Sequence, residues 1–171
     1  MRRERFEIRL PLHGILEQID RYSYYTGNAR HEAGTPARMA AAVQSSADDR
    51  KQMESHIGAA IGEAAQMINR YLANCRQASE EDIEHEGYSI VTLNYRPPYY
   101  FPEEANSQLA AHIERYIVMR TIQLWMQQVR PEESVISATE AEKETLQMRQ
   151  AMAVRIKPRR KRNNPDTRVE I

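Results

Sequence analysis

The string Tyr116-Ile117-Val118-Met119-Arg120-Thr121-Ile122-Gln123-Leu124-Trp125-Met126 constrains the fold more than any other feature of the chain. It is apolar almost all round at helical spacing, and a helix of that kind belongs at the centre of a bundle, against several neighbours. Its start is marked by Phe101-Pro102-Glu103-Glu104, with proline in the first turn and acids that complement the positive end of the helix dipole. The pattern runs to about Val129, and Pro131 breaks it. Pro131-Glu132-Glu133 opens a further helix reaching about Ile156. Its apolar content is thinner (Val135, Ala138, Leu146, Met152, Ile156), which places it on the outside.

A central helix needs partners, and two earlier segments supply them. Leu12, Ile15, Leu16, Ile19 and Tyr22 recur at helical spacing, and Gly27-Asn28 is the expected stop. Met53, Ile57, Ile61, Ala64, Ile68, Tyr71, Leu72 and Cys75 form one stripe, predicting a second helix of about seven turns. Ser45 and Ser46, each with an aspartate three residues on, approximate its capping box. Gly58 and Gly62 within it leave room for another backbone to approach. Residues 28–47, with Gly34 and Pro36, read as a loop with room for a short helix over Ala37–Val43.

Two segments have strand character. Residues 5–10 alternate polar and apolar up to Pro11, and residues 88–95 have β composition up to Pro97-Pro98. A lone strand cannot satisfy its backbone, so the two pair, within one chain or between copies. The expected fold class is mainly α: a bundle of about four helices with a small two-stranded β accessory. A helical domain spans residues 1–156, and residues 157–171 form a basic C-terminal arm, too poor in apolar residues to order alone.

The chain carries 24 basic and 24 acidic residues, so its 171 residues sum to zero charge. The balance is uneven. Residues 155–171 hold seven bases against two acids, while the other 154 residues hold 17 bases against 22 acids. An acidic body with a basic tail is the pattern of an interaction arm. No apolar run approaches the roughly 20 residues that span a membrane. Met1–Arg5 is basic but lacks the apolar core of a secretion signal. The lone Cys75 excludes an internal disulfide, and six glycines leave no glycine-rich phosphate cradle.

Nothing in the chain spells out catalysis. The histidines at 13, 31, 56, 85 and 112 lack the His-Glu-x-x-His spacing of a zinc peptidase, and one cysteine makes no cysteine-based zinc site. The acidic run at 80–86 lacks the alternating ligands and central glycine of a calcium loop. No cofactor, metal or catalytic residue is therefore expected. Candidate partner-binding residues are Arg155, Lys157, Arg159, Arg160, Lys161 and Arg162 in the basic run, and Tyr99, Tyr100 and Phe101 beside the two prolines. Aromatic residues on a loop can anchor an interface, or pack beneath it. The basic run suits a solvated terminus, contact with nucleic-acid phosphates, an import-like cluster, or an arm that docks on an acidic protein surface.

The order of elements resembles that of the head–tail connector (adaptor) proteins of tailed bacteriophages. The layout is a short N-terminal helix, a long alanine-rich helix, a strand ending in prolines, the apolar helix with Tyr116-Ile117-Val118-Met119-Arg120, a Glu-rich helix after Pro131-Glu132-Glu133, and a basic tail. The resemblance covers most of residues 48–162. It implies a non-enzymatic subunit of the virion neck, assembled in the host cytoplasm as a homo-oligomeric ring such as a dodecamer. The arm would dock on the portal protein or on another neck or tail protein. DNA would pass through the lumen without sequence-specific contact, and no membrane is involved. The alternative is a nucleic-acid-binding helical module whose tail contacts phosphates.

Overall fold

The computed structural model describes residues 5–32, 50–77 and 90–155. The elements are β1 (Phe6–Pro11), α1 (Leu12–Glu32), α2 (Arg50–Met67), β2 (Leu72–Gln77), β3 (Ile90–Tyr95), α3 (Glu103–Val129), a single 3-10 turn (Pro131–Glu133) and α4 (Ser134–Ala153). The fold is mainly α, a bundle of helices with a small antiparallel sheet.

The all-round apolar segment behaves as its sequence dictates. No residue from Tyr116 to Met126 is exposed, and α3 is the axis on which α1, α2 and α4 all pack. Ile113, Ile117 and Ile122 have no exposed surface, and Trp125 is core. One buried polar group stands out: the Thr121 hydroxyl has no hydrogen-bond partner. Burying a hydroxyl unpaired costs free energy that a methyl of the same shape does not. Thr121→Val is therefore expected to raise the unfolding free energy by about 1 kcal/mol, read from urea denaturation. A loss of stability would show that the hydroxyl is bonded.

The expected pairing of residues 5–10 with 88–95 occurs within the chain. Phe6 lies opposite Tyr95, Ile8 opposite Leu93 and Leu10 opposite Val91, and all but the half-buried Phe6 are buried against the helices. Pro11 is the last residue of β1, on an edge strand where its missing N–H is tolerated.

The second helix departs from expectation. It ends at Met67, not near Cys75, and the chain turns through Ile68–Tyr71 into β2. β2 pairs with the other edge of β3, so the sheet has three strands in the order β1-β3-β2. The physical reason lies in β3, which needs hydrogen-bond partners on both sides once it is central. Cys75 sits opposite Leu93 in the sheet register. Met53, Ile57, Ile61, Ala64 and Ile68 are buried as the stripe requires. Gly58 and Gly62 face outward, and no backbone approaches them.

α1 also runs past its expected stop, through Gly27-Asn28 to Glu32. One glycine costs a helix only about 1 kcal/mol, too little to end it without a left-handed cap. α4 lies on the outside, as its composition implied, packed on α3 alone among the long helices. Its seam is Ser137, Ala141, Glu144, Met148 and Ala151, alternating in steps of four and three, while Val135 and Leu146 point to solvent. The helix ends at Ala153 rather than Ile156. The proposed caps at Ser45 and Ser46, the loop at 28–47 beyond Glu32, the acidic run at 80–86 and the arm from 156 onward lie outside the described residues.

Candidate interaction surface

β3 leaves the sheet at Tyr95 and the chain reaches α3 through Arg96-Pro97-Pro98-Tyr99-Tyr100-Phe101-Pro102. This connection is fastened at both ends. The Arg96 backbone N–H donates to the Tyr71 carbonyl at 2.7 Å, and Pro97 is buried. The Tyr95 hydroxyl donates to Asn106 Oδ1 at 2.5 Å, on the first turns of α3. Burial raises the Tyr95 phenol well above its usual pKa, so it remains a neutral donor.

Phe101 is turned inward. Its ring meets those of Phe6 and Tyr95 edge-on, with centroids 6.1 Å and 6.4 Å away. Of the three aromatic residues picked out by the sequence, Phe101 thus secures the loop. Tyr99 and Tyr100 are the ones presented outward, 54% and 61% exposed. Tyr100 has φ 62°, among the described residues the only non-glycine residue at positive φ.

The arm's point of departure is set by α4. His112 Nδ1 lies 2.7 Å from Glu144 Oε2, a bond between α3 and α4 that is largely shielded from solvent. Nine positions separate Glu103 from His112, and nine separate Glu144 from Ala153. The two helices are antiparallel, so at 1.5 Å per residue both stretches run about 14 Å the same way. The end of α4 is therefore about level, along the helix axes, with the start of α3. Arg155 closes the exit: its Nη1 donates to the carbonyls of Met152 at 2.7 Å and Val154 at 2.5 Å. A cation there also offsets the negative end of the helix dipole. Lys157, Arg159, Arg160, Lys161 and Arg162 lie outside the described residues.

A polar cluster that sequence patterns gave no hint of ties α2 to α3. Arg120 donates from Nε and Nη2 to the two Glu63 oxygens, both at 2.8 Å, and the Tyr116 hydroxyl donates to Glu63 Oε2 at 2.7 Å. Gln123 accepts from Arg120 Nη1 at 2.9 Å. Hydrogen bonding from Arg120 holds the Glu63 carboxyl below the usual range, against a smaller opposing effect of burial. A depressed folded pKa stabilises the fold above the unfolded value, and that contribution is lost as pH falls through the folded value. Stability is thus expected to decline in acid below the ordinary glutamate pKa of about 4.3, and Glu63→Gln should flatten that decline in urea melts run against pH. Burial lowers the pKa of His56 too, so its protonation, beginning near the ordinary histidine value of about 6.5, acts in the same direction.

Among the described residues no group of three or more His, Cys, Asp or Glu side chains could hold a metal ion. Among them, too, no helix is long and apolar enough to cross a membrane. No family model matches the chain, and no curated protein or solved structure matches it.

Proposed function

We propose that the protein is a structural, non-enzymatic subunit of a bacteriophage neck. Identical copies form an adaptor ring, of which a dodecamer is one form, between portal and tail. The basic segment docks on the portal or on a neighbouring neck or tail protein. DNA crosses the lumen without sequence-specific contact, and assembly takes place in the host cytoplasm before the subunit joins the virion.

The observation that carries this reading is the exit of α4. α4 ends at Ala153 with Arg155 fastening its last turn, and in the sequence the basic run follows from that end of the helix. An arm in that position can reach a second ring above or below while the helices meet neighbours in the same ring. A ring needs two unlike faces on each subunit, and a mainly helical body offers them. Fifteen residues beyond Ile156 span roughly 50 Å when extended, and ordering on contact is offset by the contacts made.

Removal of residues 157–171 should leave a folded helical protein, by circular dichroism, that no longer joins portal-containing particles. Normal incorporation of the truncated protein would sink the docking role. The competing reading as a nucleic-acid-binding module predicts DNA affinity that falls steeply with salt, with a slope of about −0.9 per phosphate contacted.

A further inference from the structure

We infer that the solvent face of α4 is a contact for a second copy of this chain. The two helices pack antiparallel about a two-fold axis, with Val135 of each copy opposite Leu146 of the other. Such a pair is isologous, whereas the ring contacts of the adaptor reading are heterologous, so either can fail without the other.

The first ground is an inverted helix pattern. A helix on the surface of a bundle turns its large apolar residues inward and its small and polar ones outward. Over its first three turns α4 does the reverse. Its buried residues there are Ser134, Ser137, Ala141 and Glu144, while Val135 and Ile136 are 63% and 67% exposed. Leu146 follows on the solvent side, 53% exposed. Single apolar residues scattered over a surface need no explanation, but a line of them marks a contact.

The second ground is spacing. Val135, Thr139, Glu142, Leu146, Arg149 and Ala153 follow one another in steps of four and three, and all six are exposed. That is the spacing of a coiled-coil seam, on the side of the helix away from α3. Val135 and Leu146 stand eleven residues apart on this line, which is three turns and about 16.5 Å.

The third ground is charge, and it names the partner. With Val135 opposite Leu146, the residue three before Val135 falls opposite the residue three after Leu146. Those are Glu132 and Arg149, both exposed and opposite in charge. By the same count Thr139 falls opposite Glu142, a polar pair, and the two-fold axis repeats every contact. A parallel pair would set Glu132 against Glu132 and Arg149 against Arg149, which like-charge repulsion opposes. The surface that complements this stripe is therefore the same stripe reversed.

The test is sedimentation velocity of the full chain over a range of concentrations. The mass should rise from one chain toward two, with a midpoint in the micromolar range because one helix pair is smaller than a standard interface. Leu146→Glu should weaken association by about thirty-fold or more. Its circular dichroism and thermal unfolding should match wild type, since position 146 faces water. Glu132→Arg and Arg149→Glu should each weaken association about tenfold, and the two combined in one chain should restore it. A chain that stays monomeric at millimolar concentration, as it would with a segment of its own over the stripe, overturns the pair. So does association that Leu146→Glu leaves unchanged, which would place the contact on other faces. A double charge variant that associates no more tightly than the single ones overturns the antiparallel register, and the proposal with it.

Discussion

Tyr95→Ala is expected to lower the unfolding free energy by about 4 kcal/mol, measured by urea denaturation. Tyr95 has no exposed surface and occupies the middle strand of the sheet, opposite Phe6 on one side and Leu72 on the other. Truncation deletes a large ring from a site whose walls are a strand pair and a helix, which cannot collapse to fill it. It also frees Phe101 and Asn106, so the turn carrying Tyr99 and Tyr100 loses both the ring packing and the bond that clamp it. Tyr95→Phe keeps the packing and removes only the hydroxyl bond, so its cost should be near 1 kcal/mol. Equal losses for the two variants would mean that the hydrogen bond, and not the ring, holds the site together.

His112→Ala is expected to cost about 3 kcal/mol. Glu144 is 8% exposed, on the face of α4 that lies against α3, and the substitution leaves its carboxylate buried with no partner. The pair is worth far less than that figure, because both groups were taken out of water to form it. Replacing both residues with leucine should therefore recover most of the loss. A double variant no more stable than His112→Ala would show that the seam needs the bond for its geometry. Such a result would matter at the far end of the helices, since the same seam decides where the chain leaves the bundle.

The central helix was legible because the run from Tyr116 to Met126 is apolar almost all round, and none of its residues is exposed. The β1–β3 pair was legible because two strands with no other partner had to find each other. β2 was not, because Tyr71, Leu72 and Cys75 continue the spacing of the α2 stripe and satisfy a helical pattern as well as an extended one. Only the demand of β3 for a second neighbour decides between them. The inner face of α4 was not legible for a related reason. Ser137 and Glu144 are polar and Ala141 is small, so hydropathy points to Val135 and Leu146, which face solvent. The residues around the turn were picked out by their aromaticity beside prolines. What sequence could not supply was the inward rotation of Phe101 or the left-handed Tyr100. Both depend on contacts between residues far apart in the chain. The Glu63–Arg120–Tyr116 cluster escaped on the same ground, since Glu63 lies 57 positions from Arg120.

The pairing of β1 with β3 sets a timetable for the chain during its synthesis. Phe6 is made 89 positions before its partner Tyr95. At roughly 5–20 residues per second on the ribosome, the N-terminal strand waits on the order of ten seconds with Ile8 and Leu10 uncovered. Even then the sheet has no lid until α3 follows. The helices can coil as they emerge, but this part of the chain cannot close until α3 is out. Its early segments are therefore the part most in need of shelter from a chaperone, and a transplant of β1 to follow β3 directly should shorten that exposure.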